Sequence, residues 1–222
     1  RSGTPRIASI ATSQTSTTEA YVGANSNIGA GGDVRVKANS LHVTGGNARA
    51  DAGGFAADVN ATMTSNLNYN TKADLRSGAK VVAGGHVEVS TVGNLDVSTR
   101  SYADGRGFGG GGYANTTATV ANGSQNLVDI GENAIIIADT VALRATTTQL
   151  AIRTEAKGYG AGFVGVSKDN SNIFIGPNPG NVGALNKVQL GQGTSLTGYD
   201  GVDLEATFRG VNTFAYSFAQ VT

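Results

Sequence analysis

Carboxylates recur along this chain in two series whose spacing could carry chemistry. In the first, Asp33, Glu88, Asp139 and Asp203 stand near a valine that itself recurs. Acidic clusters of this kind, with Ca2+ and an Arg or Lys base, cleave acidic polysaccharides on β-helical scaffolds. Asp33 and Asp139 come just before strand-like segments, whereas Glu88 and Asp203 alternate with apolar residues on an outward face. The four do not converge, so solvated charges that discourage edge pairing are the simpler account. The second series is Asp51, Asp104 and Glu155, each four residues before a ring in Asp51-Ala-Gly-Gly-Phe55, Asp104-Gly-Arg-Gly-Phe108 and Glu155-Ala-Lys-Gly-Tyr159. Equivalent carboxylates stacked ~5 Å apart would repel unless cations intervened. Arg49, Arg106 and Lys157 lie two residues away and predict local ion pairs. A row of Ca2+ ions has no support from the calcium-binding nonapeptide, because Gly109-Gly-Gly-Gly112 lacks its Asp. No catalytic, cofactor-binding or metal-ligating residue is assigned, and no cofactor is expected.

The rings themselves are a second candidate. Phe55, Phe108 and Tyr159 could form an exposed ladder suited to sugar rings, although an internal stack plugging a corner of each repeat is the expectation. Thr117 and Thr119 belong to a polar, threonine-bearing face of the kind that binds ice or crystalline glycans, yet threonine is also simply a good strand former. His42 and His86 are not in equivalent positions, which argues against a histidine metal site. The glycines of Gly105–Gly112 are not followed by Gly-Lys-Ser/Thr or by a helix pattern, so they do not read as a phosphate loop.

What must position these residues is a repeat. Ile28-Gly-Ala-Gly-Gly-Asp-Val34-Arg-Val36 returns as Val81-Val-Ala-Gly-Gly-His-Val87-Glu-Val89, then as Ile136-Ile-Ala-Asp-Thr-Val141-Ala-Leu143 and Leu196-Thr-Gly-Tyr-Asp-Gly-Val202-Asp-Leu204. Val34, Val87, Val141 and Val202 are 53, 54 and 61 residues apart. These valines, with Val36, Val89, Leu143 and Leu204, are the expected structural core of the repeat. A second signature follows each: Leu41-His-Val43, Leu95-Asp-Val97 and Leu150-Ala-Ile152. A fixed period in this range means stacked copies of one supersecondary unit, since one unit alone cannot bury its apolar face.

From Ala57 to Leu75 the odd positions are apolar or small and the even positions polar, a strict period of two that excludes an amphipathic helix. The same alternation is expected with Ala8, Ile10, Thr12, Ala20 and Val22 in the first copy, and with Thr116, Ala118, Val120, Val128 and Ile130 in the third. A straight strand of this length would exceed ~60 Å, which predicts a corner or two successive strands. Small inward residues such as Ala61, Ser65 and Ala73 predict a thin cross-section. The chain is therefore expected to be all-β, a right-handed parallel β-helix of about four units, approximately 1–56, 57–111, 112–166 and 167–222. Each 53-residue unit would divide into about three coils of ordinary size or two wide ones. Charges, Asn and two prolines predict an inserted surface loop at about 167–181.

Composition narrows the class of function. Charged residues are 14%, with 16 Lys and Arg against 16 Asp and Glu, which offers nothing to attract nucleic acid. Gly is 33 of 222 but Pro only 3, so the glycine is not that of a disordered linker. There is no Cys, and no run approaches the ~18 apolar residues of a membrane helix. The opening Arg1 and the strand-like close at Thr222 suggest a piece of a longer polypeptide.

Ala30-Gly-Gly-Asp-Val34, Ala83-Gly-Gly-His-Val87 and the Leu-x-Val triplets resemble the repeat regions of giant bacterial surface exoproteins of the filamentous-haemagglutinin and large-adhesin type. The resemblance implies a right-handed β-helix, export, and a place outside the cell or on the bacterial surface. It implies a non-enzymatic role as stalk or adhesin body, with adjoining repeats and a host or neighbour-cell glycan or protein as partners. A β-helical polysaccharide-degrading enzyme and a threonine-array binder of glycan or ice are the alternatives.

Overall fold

A computed structural model describes residues 6–175 and 185–222. Among them there is no helix, and eleven strands form a single sheet in which every pairing is parallel. The chain winds outward along Arg6–Val22 (β1), crosses at Asn27–Ala30 (β2), and returns along the start of Val34–Leu75 (β3). Without a break β3 rounds an apex near Phe55 and runs outward again to Leu75. The same circuit continues through Lys80–Ala83 (β4), His86–Val120 (β5), Gln125–Ile130 (β6), Ile135–Ala161 (β7) and Val164–Ile175 (β8). It ends with Leu185–Leu190 (β9), Ser195–Phe208 (β10) and Val211–Val221 (β11).

Each strand pairs with the segment one whole repeat away. Arg6 lies beside Val59, Val34 beside Val87, His86 beside Thr140 and Val202 beside Val141. No pairing among the described residues spans a third or half of a repeat, so the expected division of each unit into two or three coils is overturned. One repeat makes one wide, flattened turn, a solenoid-like tier with two long walls, a short base and a narrow apex. The reason lies in the outward wall: Ala57 to Leu75 needs no corner, because its alternation is unbroken and every odd residue from Ala57 to Leu75 is buried.

The core is graded from base to apex. Leu75, Val81, Val87, Val89, Ile136, Val141 and Leu143 fill the wide base, and a middle cluster holds Leu67, Tyr69, Leu95, Val97 and Ile152. Toward the apex the residues shrink to Ala48, Ala61, Ala103 and Ala114 around Met63. Full burial of each Val or Leu contributes about 1.5–3 kcal/mol, so most apolar stabilisation sits at the base and middle. At the apex the walls touch through backbone: a Cβ on Gly110 would fall 2.5 Å from the Gly105 carbonyl oxygen. Hydroxyl pairs bridge the walls between clusters, as where Thr116 donates to Thr99 at 2.7 Å and Ser40 bonds Thr71 at 2.7 Å.

The register revises several expectations. Ser167–Asn172, expected in a loop, lies within β8 and pairs with β5, while 176–181 lie outside the described residues. Lys168, Asn170 and Asn172 point outward and Ser167, Asp169 and Ser171 inward, so the polar run obeys strand parity. The offset is 55 at β8 and 60 at β9, so the added length enters between Ile175 and Leu185. Thr116 and Ala118 stack on Met63 and Ser65 at an offset of 53, whereas Val128 and Ile130 stack on Ala73 and Leu75 at 55; the difference enters at the turn after Val120, where Gly123 has φ +81°.

The valine positions divide by tier. Val87, Val89, Val141 and Leu143 are buried, and Val34 and Val36 are half-buried against the same cluster. Val202 and Leu204 keep the register of Val141 and Leu143 but are exposed, because no further tier covers them among the described residues.

Candidate functional site

With the interior small and packed, chemistry is left to the outer faces. Phe55 and Phe108 stack at 5.0 Å with planes 4° apart, and the next ring on Phe108 is Phe163, at 5.2 Å and 10°. The three are 64%, 52% and 84% exposed and crown the apex, so the expected internal plug is instead an external ladder. The apex is too narrow for rings: its walls meet glycine to glycine, and each phenyl group is turned out. Phe108 has a neighbouring ring on both sides, so its faces are taken up within the ladder.

Tyr159 is not part of that ladder. It pairs in register with Asp104, as Asp51 does on the other side, and Glu155 pairs with Arg100. The acidic series Asp51, Asp104, Glu155 is therefore not a row. The offset is 53 between β3 and β5 but 55 between β5 and the end of β7, with an irregularity after Gly93. The phrase Glu155–Tyr159 matches Asp104–Phe108 in spelling and sits four residues away from it in space. Local ion pairs do form: Arg49 to Asp51 at 2.7 Å, Arg106 to Asp104 at 2.7 Å, and Lys157 to Glu155.

The valine-associated carboxylates are also held separately. Asp33 accepts from the His86 backbone N–H at 2.9 Å, a bond that lowers its pKa from the ordinary value. Glu88 meets Lys37 at 2.7 Å; burial alone would raise its pKa, but the bonds from Lys37 and Ser90 outweigh it and the shift is downward. Asp203 meets Arg144 at 2.7 Å. Among the described residues no group of three His, Cys, Asp or Glu side chains is placed to hold a metal ion.

Thr117 and Thr119 lie half-buried on the outward-running wall. Thr117 neighbours Thr64 and Asn172, and Thr119 neighbours Asn66 and Phe174, so the columns are mixed rather than threonine arrays.

The outer face of the returning wall, between base and apex, gathers rings and charges from three tiers. There Arg153 neighbours Ser98 and Phe214, Glu155 neighbours Arg100 and Tyr216, and Lys157 neighbours Tyr102 and Phe218. The rings of Phe214, Tyr216 and Phe218 are parallel within 6° at 6.3–6.4 Å, and Tyr159 lies 5.8 Å from Phe218. Arg49 stands over Tyr102 at 4.7 Å. Eight of the chain's fourteen Phe and Tyr residues fall on this face or the adjoining apex. The signal was present in Phe214-Ala-Tyr-Ser-Phe218, but the cluster forms only once the 61-residue offset brings that segment over β7.

No protein-family model matches the chain, and neither a curated protein nor a solved structure matches it.

Proposed function

We propose that this chain is a structural and adhesive segment of a large secreted or cell-surface bacterial protein, acting as stiff stalk or adhesin body. In this reading it is a right-handed parallel β-helix of about four units, 1–56, 57–111, 112–166 and 167–222, whose neighbours are adjoining repeats of the same polypeptide. The observation that carries it is the parallel pairing of successive tiers through 53- to 61-residue offsets. Such a ladder resists bending because each tier is bonded along its length to the next. The resemblance to filamentous-haemagglutinin-type repeats supports the same reading, and so does the pairing of Asp33 with a backbone donor and of Glu88 and Asp203 with Lys37 and Arg144. The reading assigns no catalysis, no cofactor and no nucleic-acid partner.

Display of the full chain on a bacterial surface, followed by protease challenge and a cell-attachment assay, tests it. Survival of an intact rod with increased attachment is the expected result. Rapid digestion within the walls, or release of fragments from a polysaccharide by the purified chain, would overturn it.

A further inference from the structure

We infer that the outer face of the returning wall, around Arg153, binds an acidic, uronate-bearing polysaccharide; this rests on the surface-presenting role proposed above. The face has a depression of about 380 Å3 lined in part by Ser98, Arg100, Arg153, Asn212 and Phe214, within the size range of small-ligand sites. Arg49, Arg100 and Lys157 each hold a carboxylate, whereas Arg153 is exposed and holds none among the described residues. A planar guanidinium with a free fork matches a planar carboxylate in two parallel bonds, which is better geometry than it finds on a tetrahedral sulfate.

Phe214 lies beside Arg153 in register and is 54% exposed, supplying apolar surface next to the charge. Asn212 and Ser98 add uncharged donors and acceptors of the kind that meet sugar hydroxyls. The site sits on a rigid sheet beside Tyr216, with Phe218 and Tyr159 beyond it toward the apex, so successive residues of a polymer have neighbouring positions to engage, and weak single contacts add through multivalency. Arg100, Arg153 and Lys157 against Glu155 and Asp96 leave one positive charge in excess on a chain of zero net charge. That suffices to favour an acidic glycan. It falls short of the strongly basic groove with which single-stranded nucleic acid is tracked.

Affinity electrophoresis of the full chain decides the matter, run in gels containing polygalacturonate, the same polymer methyl-esterified, dextran sulfate, or oligothymidylate. The expected result is retardation by polygalacturonate that esterification abolishes. Arg153→Ala should weaken it about tenfold or more, the scale of losing a charge-assisted bidentate contact. Arg153→Lys should be intermediate, Phe214→Ala should also weaken retardation, and Thr117→Ala on the other wall should leave it unchanged. Circular dichroism and protease resistance report that each variant is folded.

Absence of retardation by polygalacturonate overturns the inference. So does equal or stronger retardation by dextran sulfate or oligothymidylate, or a folded Arg153→Ala chain that binds undiminished. A protease-resistant rod that ignores polygalacturonate overturns this inference and leaves the stalk reading standing.

Discussion

The imidazole of His42 lies 5.1 Å from the ring of Tyr69, centroid to centroid, inside the middle of the core. His42 is 2% exposed, and neither ring nitrogen has a hydrogen-bond partner. Burial lowers its pKa from the ordinary 6.5, and burial raises that of Tyr69 to about 12. The folded chain thus binds a proton at His42 less readily than the unfolded chain does. Stability should be unaffected by His42 well above pH 6.5 and should fall as pH drops below it, because the unfolded state gains protons first. Thermal melts of the natural chain and His42→Leu at pH 8 and pH 5 check this. The variant should be more stable, by about 1–3 kcal/mol if both nitrogens were unsatisfied, and should lose part of the acid sensitivity.

Leu41 and Leu95 begin the same three-residue phrase but occupy opposite sides of the wall. Leu41 is 70% exposed and pairs with Asn94, while Leu95 is 1% exposed and pairs with His42. Leu95→Ala should cost about 2–5 kcal/mol, whereas Leu41→Ala should stay within about 0.5 kcal/mol. Urea denaturation of the two variants measures the difference, and equal losses would contradict the register.

The hydroxyls of Thr99 and Thr116 are each other's partners across the core. Thr99→Val should leave Thr116 unsatisfied at a cost of about 1–3 kcal/mol, and Thr116→Val should be similar. The double variant should recover much of the loss, since two methyl groups then face one another. A double-mutant cycle by denaturant unfolding reads the coupling.

Glycine at the apex is required by the approach of one backbone to another. A Cβ on Gly112 would meet the Tyr159 carbonyl oxygen at 2.3 Å, whereas one on Gly29 would meet nothing within 4 Å. Gly112→Ala should destabilise by about 3 kcal/mol or more, and Gly29→Ala should be neutral. Melting temperatures of the pair are the measurement.

How much of this was legible in the sequence depends on the length of the signal. The alternation of Ala57–Leu75 reproduces the burial of that wall, because parity persists over many residues and each one reports independently. Short phrases misled. Leu41-His-Val43 looks like Leu95-Asp-Val97, but counting in twos from Val34 and Val36 turns His42 inward. Glu155–Tyr159 looks like Asp104–Phe108, yet the lengthened offset moves Phe163 into the ladder instead. Lys168, Asp169 and Asn170 read as loop by composition, and only the tier beneath them shows that they alternate as a strand. The aromatic face around Phe214 depends on three offsets added together, which no local pattern states.

The width of the turn also governs how such a chain can fold. No strand pairing among the described residues joins segments fewer than 53 residues apart, and even the hydroxyl bridge of Thr99 and Thr116 spans 17. Closing the first loop of that size gives up chain entropy before any ladder exists to offset it, and few contacts are close enough in sequence to form early. Once one tier is in place, the next finds a ready edge along its whole length. Formation should therefore show a slow, temperature-sensitive lag followed by rapid growth, and a preformed tier supplied in trans should shorten the lag.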